Sequence, residues 1–147
     1  RQLAEAQRDL QRLESQDVPV GDTVAARLME RWARGVAEQV EAGVKQEELT
    51  YEIVGYRLDD FALMAMPGEP FVEIALGVKA RSKATHTMFA GYGNGNVAYW
   101  PTPETIAQGG MAVEASVKAY NNSAPPTAPT VDILVGEFGK LLGDLDL

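Results

Sequence analysis

The sequence predicts an α/β or α+β layer fold, a mixed sheet with helices packed on it. Three observations carry this. Residues 1–46 repeat their apolar side chains at helical spacing, the chain switches to strand-like runs from Glu48, and residues 61–92 read as strand, helix, strand. With 147 residues, 46% of them hydrophobic, the chain is long enough for one domain with its own core. Its expected divisions are a helical segment 1–46, a mixed core 47–120, a proline-rich loop 121–130 and a C-terminal helix 131–147. Because it enters a helical pattern directly at Arg1 without a methionine, we read it as a single-domain piece of something longer.

Leu3, Ala6, Leu10 and Leu13 recur at helical spacing until "SQDVPVGD", where Pro19 and Gly21 interrupt. Asp22 or Thr23 is placed to cap a second helix, with Val24, Leu28, Trp32, Val36 and Val40 near one face and Gly43 at its end. "LTYEIVGYRL" is rich in β-branched and aromatic residues, Asp59 and Asp60 supply a turn, and "FALMAM" is continuously apolar, which together predict a hairpin. "PGEP" breaks the pattern. Phe71, Ile74, Ala75 and Val78 then return to helical spacing, and Lys79, Arg81 and Lys83 suit the C-terminal end of that helix. "THTMFAGY" reads as a strand, followed by a glycine loop, a short strand at 97–100, and a helix opened by "TPET" with Pro103 in its first turn. "MAVEASVKAY" alternates as a strand does. "NNSAPPTAPT" is a loop, and "VDILVGEFGKLLGDL" closes as a helix weakened by Gly136 and Gly139.

The formal net charge of −8 sets the overall field against phosphate backbones and anionic lipid surfaces, so no nucleic-acid partner is expected. The absence of cysteine removes disulfides, thiolate zinc sites and a cysteine nucleophile. No apolar run approaches the roughly 20 residues a membrane helix needs, so no transmembrane segment is expected.

Gly91, Gly93 and Gly95 alternate in "GYGNGNVAYW". A phosphate cradle would need a helix N-terminus directly after the loop, yet a strand-like run follows, and the spacing fits neither G-x-G-x-x-G nor a Walker pattern. A tight turn is the plainer account. His86 is the only histidine, and one imidazole makes no triad. Asn121 begins an N-x-S acceptor pattern that matters only in a glycosylating pathway. Glu69 follows an apolar strand and a Pro-Gly turn and is expected in the first turn of a helix, where the macrodipole favours an ionised carboxylate. On its own it reads first as an ordinary helix-start glutamate, with a hard ligand or base as the alternative. Tyr92, Tyr99 and Trp100 are, on their own, core or surface aromatics.

Taken together and in this order, "MPGEPFVEIALGVK" and "GYGNGNVAYWPTPETIAQGGMAVEAS" give the chain a resemblance to the C-terminal part of the neutral/alkaline non-lysosomal ceramidase family, over about residues 48–117. The resemblance implies a catalytic zinc held by two upstream histidines, by a glutamate that falls on Glu69 and by a tyrosine that falls on Tyr99. Asn94 takes the asparagine position of the loop. It also implies an N-acyl amide substrate such as a ceramide-like lipid, the rest of its own catalytic domain as partner, and an extracytoplasmic location. A right-handed β-α-β crossover is what would bring the two ligands together, at strand carboxyl ends. Two departures stand out. The histidine ligands are missing, since His86 matches neither position, and Met111 replaces a tyrosine that helps polarise the substrate amide, where a thioether has no proton to donate. A catalytically silent binding or scaffold domain of the same fold is therefore the competing expectation.

Overall fold

The computed structural model describes residues 1–45 and 48–147. The expected boundary between helical and mixed segments, at 46–47, lies outside the described residues. In chain order the elements are α1 (Gln2–Glu14), α2 (Val20–Glu41), β1 (Val54–Leu58), β2 (Phe61–Ala65), β3 (Glu69–Pro70), α3 (Val72–Lys79), β4 (His86–Ala90), β5 (Tyr99–Trp100), α4 (Pro103–Gln108), a π-helical turn (Met111–Ala115), α5 (Ser116–Ala119) and α6 (Thr130–Asp144). With a mixed three-stranded sheet and helices packing on it, the fold is α+β. The chain groups into two compact units, Arg1–Glu48 with Val117–Ala124, and Leu49–Ser116 with Pro125–Leu147.

In the first unit α1 packs on α2. The apolar face of α2 differs from the expected one. Val24, Leu28 and Val40 are exposed, whereas Ala26, Met29, Trp32, Ala33 and Val36 turn inward. Valines every four residues drift around a helix of 3.6 residues per turn, and the smaller alanines supply the contact face instead. The indole Nε1 of Trp32 donates to the Asn122 carbonyl at 2.8 Å, and the Lys118 ammonium lies 5.3 Å from the centroid of the Trp32 ring. Helix α2 begins at Val20 after Pro19, ahead of the expected caps, with Asp22 in its first turn and Gly43 in the left-handed region just past its end.

The second unit is built on a sheet of order β1-β2-β4. Strands β1 and β2 form the predicted hairpin, antiparallel from Val54↔Ala65 to Leu58↔Phe61, with Asp59 in the turn at φ 53°. Strand β4 runs parallel to β2 from Phe61↔His86 to Ala65↔Ala90, and α3 makes the crossover between them. Since alternate residues face opposite sides of a strand, Ala62 and Met64 enter the core while Leu63 shares the other face with its neighbours Tyr56 and Met88. The core joins Met64 and Met66 to Ile74 and Val78 of α3 and to Leu134, Phe138 and Leu142 of α6. Phe89 meets Phe138 edge to face at 5.2 Å, a favoured aromatic geometry. The Arg81 guanidinium, just past α3, donates from Nη1 to the Val135 carbonyl of α6 at 2.6 Å. Thr102 caps α4 by accepting from the Thr105 amide at 3.2 Å, with Pro103 at the first helical position as the sequence predicts.

The segment "MAVEASVKAY" corrects the expected strand. It forms the π-helical turn and then α5. Gly109 and Gly110, at φ 75° and 95°, reverse the chain, and the Glu114 and Ser116 side chains bond back to Gly110 N and Ala112 O. Those local bonds hold Met111–Ala115 in a helical form despite its alternating hydropathy.

Candidate functional site

Strand β2 ends in the core, and Met66-Pro67-Gly68 then turns the chain. Gly68 has φ 81°, a left-handed conformation that glycine reaches without strain. The glycine loop after β4 wraps this turn through main-chain hydrogen bonds. Tyr92 N and Gly93 N donate to the carbonyls of Gly68 and Met66, each at 2.8 Å, and Gly68 N donates to Gly95 O at 3.0 Å. A Cβ on Gly93 would stand 2.7 Å from the Ala65 Cβ and one on Gly91 2.9 Å from Pro70 Cδ, so these two glycines serve close approach. The amides of Tyr92 and Gly93 are thereby committed to protein carbonyls.

The two excursions meet in a ladder of two residues. Strand β3 pairs parallel with β5, Glu69 opposite Tyr99 and Pro70 opposite Trp100. Glu69 N donates to Ala98 O at 2.8 Å and Phe71 N to Trp100 O at 3.2 Å. Trp100 faces the core, where its Nε1 donates to Pro67 O at 2.8 Å and its ring lies 4.8 Å from that of Tyr51. Alternation then sets Glu69 and Tyr99 together on the other face. The sequence expectation for Glu69 is corrected in one respect. It is not in the first turn of α3 but in β3, because a residue before proline is driven to extended backbone and helix begins only after Phe71. The pair sits beyond the carboxyl ends of β2 and β4, in a ladder separate from the main sheet.

A hydrogen bond to the Glu69 carboxylate raises the Tyr99 phenol above its ordinary value of 10.0, with burial and the carboxylate charge acting the same way. All three disfavour the phenolate, the first because the bond is made only by the protonated form. The stabilisation from this pairing is fully present below pH 10 and is lost as pH rises through the raised pKa, since the unfolded phenol ionises first. Glu69→Gln is expected to lower the Tyr99 midpoint toward 10.0, read as tyrosinate absorbance in an alkaline titration against Tyr99→Phe. An unchanged midpoint would show that the carboxylate does not govern this phenol.

The remaining sequence candidates fall elsewhere. His86 opens β4, while the loop leaves that strand's other end, about 13 Å away at the usual strand rise. It is exposed and does not join the pair. Asn94 lies in the loop at φ 68° and donates from Nδ2 to Glu52 Oε2 at 3.2 Å. Met111, 64% exposed, opens the π-helical turn that packs on β5. Asn121 is exposed at φ 59° just after α5. Tyr51 and Glu52 are contributions that the sequence reading missed, having assigned them to a strand that in fact starts at Val54. The signal was present in the alternation of Tyr51, Glu52 and Ile53, which sends the aromatic to the core and the carboxylate to the loop. Burial raises the Tyr51 phenol as well.

As a metal site, the Glu69 carboxylate and Tyr99 phenol offer two hard oxygen donors on one face. Among the described residues no group of three or more His, Cys, Asp or Glu side chains gathers around a common point. Two oxygen donors could fill at most two positions of a four-coordinate metal ion. Comparisons with protein-family models, with curated proteins and with solved structures find no match to this chain.

Proposed function

We propose that this chain supplies Glu69 and Tyr99 as two oxygen ligands of a zinc-dependent amidohydrolase resembling the neutral ceramidases, acting on an N-acyl amide such as a ceramide-like lipid. Histidines outside residues 1–147 complete the site. The observation that supports the reading is the ladder register, which makes neighbours of the two residues that the motif resemblance selects. Zinc, when bound, polarises an amide carbonyl and acidifies a water toward a pKa of about 7.

The protein's own contribution is positional. Main-chain bonds from Gly68, Glu69 and Phe71 fix the backbones that carry both residues, so only their side chains would need to adjust to a cation. The hydrogen bond to the Glu69 carboxylate keeps the Tyr99 phenol protonated, and the phenol would have to give up that proton to serve as a phenolate ligand.

The test is metal content in the full-length polypeptide that carries the histidine ligands. About one zinc per chain is expected, with affinity at least about 100-fold lower for Glu69→Ala, at the upper end of what disturbing a metal site does. Full zinc occupancy with unchanged affinity in that variant would refute the ligand assignment.

A second reading, a silent scaffold of the same fold, is favoured by Met111. Its exposed thioether stands where the resembling family carries a phenol and donates no hydrogen bond to a substrate. Turnover of any N-acyl amide that stops on chelation removes the silent reading. Bound zinc without turnover across an amide panel supports it.

A further inference from the structure

We infer that Asn94–Gly95 is a self-modification site, at which the asparagine closes on the next amide and converts to aspartate and isoaspartate. The inference is independent of any metal at Glu69 and Tyr99. It begins with the sequence, which contains four asparagines, Asn94, Asn96, Asn121 and Asn122, of which only Asn94 precedes glycine. A following residue with a side chain shields its own amide nitrogen and narrows its backbone freedom, whereas glycine does neither.

The structure adds three conditions. Asn94 and Gly95 are both exposed, so water reaches the reaction. Among the described residues the Gly95 amide donates no hydrogen bond, in contrast to the amides of Tyr92 and Gly93 in the same loop. A Cβ-sized volume at Gly95 meets nothing closer than the Pro67 Cβ at 3.7 Å, so the space beside that nitrogen is open. Asn122, by comparison, is buried and its carbonyl is held by Trp32.

The chemistry balances with water as the only co-reactant. Gly95 N loses its proton and attacks Asn94 Cγ. The new N–Cγ bond forms, the Cγ–Nδ2 bond breaks, and Nδ2 leaves as ammonia with that proton. Water then opens the five-membered imide. Attack at Cγ gives aspartate, and attack at the main-chain carbonyl gives isoaspartate, in which the chain runs through the former side chain. One ammonia is released and one water is taken up.

The product acts on the loop. Asn94 Nδ2 now donates to Glu52 Oε2 at 3.2 Å, and a carboxylate in its place sets two like charges against each other. Isoaspartate further lengthens the main chain just before Gly95, whose carbonyl accepts from Gly68 N at the turn that leads to Glu69.

The experiment is peptide mass mapping of the folded chain aged at physiological temperature over a series of pH values. The Asn94 peptide is expected to gain the mass of OH over NH2 at a rate that rises with pH. That rate should exceed those at Asn96, Asn121 and Asn122 by at least about tenfold, a barrier lower by about 1.4 kcal/mol. Asn94→Gln should abolish the change at that peptide. Equal rates at all four asparagines, or conversion confined to Asn121, would overturn the site. The effect on the loop has its own readout. Asn94→Asp should accelerate hydrogen exchange at the Gly68 amide, and Glu52→Gln in the same chain should restore it. Unchanged exchange in Asn94→Asp would overturn the coupling to the loop.

Discussion

Gly68→Ala is expected to destabilise the second unit by about 3 kcal/mol, combining roughly 1 kcal/mol for a side chain in the left-handed region with 1–3 kcal/mol for overpacking. The backbone there has φ 81°, and the added methyl would meet the Ala98 carbonyl oxygen and lie 2.6 Å from Trp100 Nε1. Neither neighbour can yield at low cost. The carbonyl of Ala98 accepts from Glu69, and the indole is held by Pro67 in the core. A urea titration should show a midpoint lower by about 2 M at an ordinary slope. The same substitution separates β3 from β5, so the Tyr99 midpoint should fall toward 10.0 even where the chain remains folded. A variant with normal stability and an unshifted phenol would mean that the Met66–Gly68 turn does not position the pair.

Phe138→Ala is expected to cost about 3–5 kcal/mol, the range for deleting a large side chain from a packed interior. Phe138 on α6 is fully buried, and its ring carries the edge-to-face contact with Phe89 of β4. The cavity would open within a core cluster that includes Met64, Ile74 and Leu134, and of these methionine adapts best. What distinguishes this variant is the site. The main-chain bonds that set Glu69 against Tyr99 run from Glu69 to Ala98 and from Phe71 to Trp100, away from α6, so under conditions where the protein is still folded the raised Tyr99 pKa should persist. Thermal or urea unfolding together with the alkaline titration checks both halves, and a loss of less than about 1 kcal/mol would contradict the packing account.

Much of the scaffold was legible in the sequence because local signals and tertiary context agree. The Asp59–Asp60 turn between two apolar runs made a hairpin, and Thr102 with Pro103 made a helix start. Where local pattern and context diverge, the reading went astray. Alternation in "MAVEASVKAY" described a strand, but two glycines in left-handed conformations and a pair of back-bonding side chains made it helical. Val24, Leu28 and Val40 of α2 had helical spacing but not the buried face, which depended on the small residues that let α1 approach. The candidate pair is instructive in another way. Composition and spacing gave Glu69 no partner, since register between strands so far apart in sequence depends on the whole crossover. Motif resemblance singled out the two residues, and the coordinates found them side by side in the β3–β5 ladder.

That ladder has a consequence for how such a protein diverges. The main-chain bonds that join β3 to β5 run from amide to carbonyl, and the hydrogen bond between the Glu69 and Tyr99 side chains is added on top of that frame. Descendants can therefore exchange the functional groups at these positions while inheriting the frame that presents them. New chemistry then needs only two codons to change, because the main-chain ladder beneath does not depend on which side chains it carries.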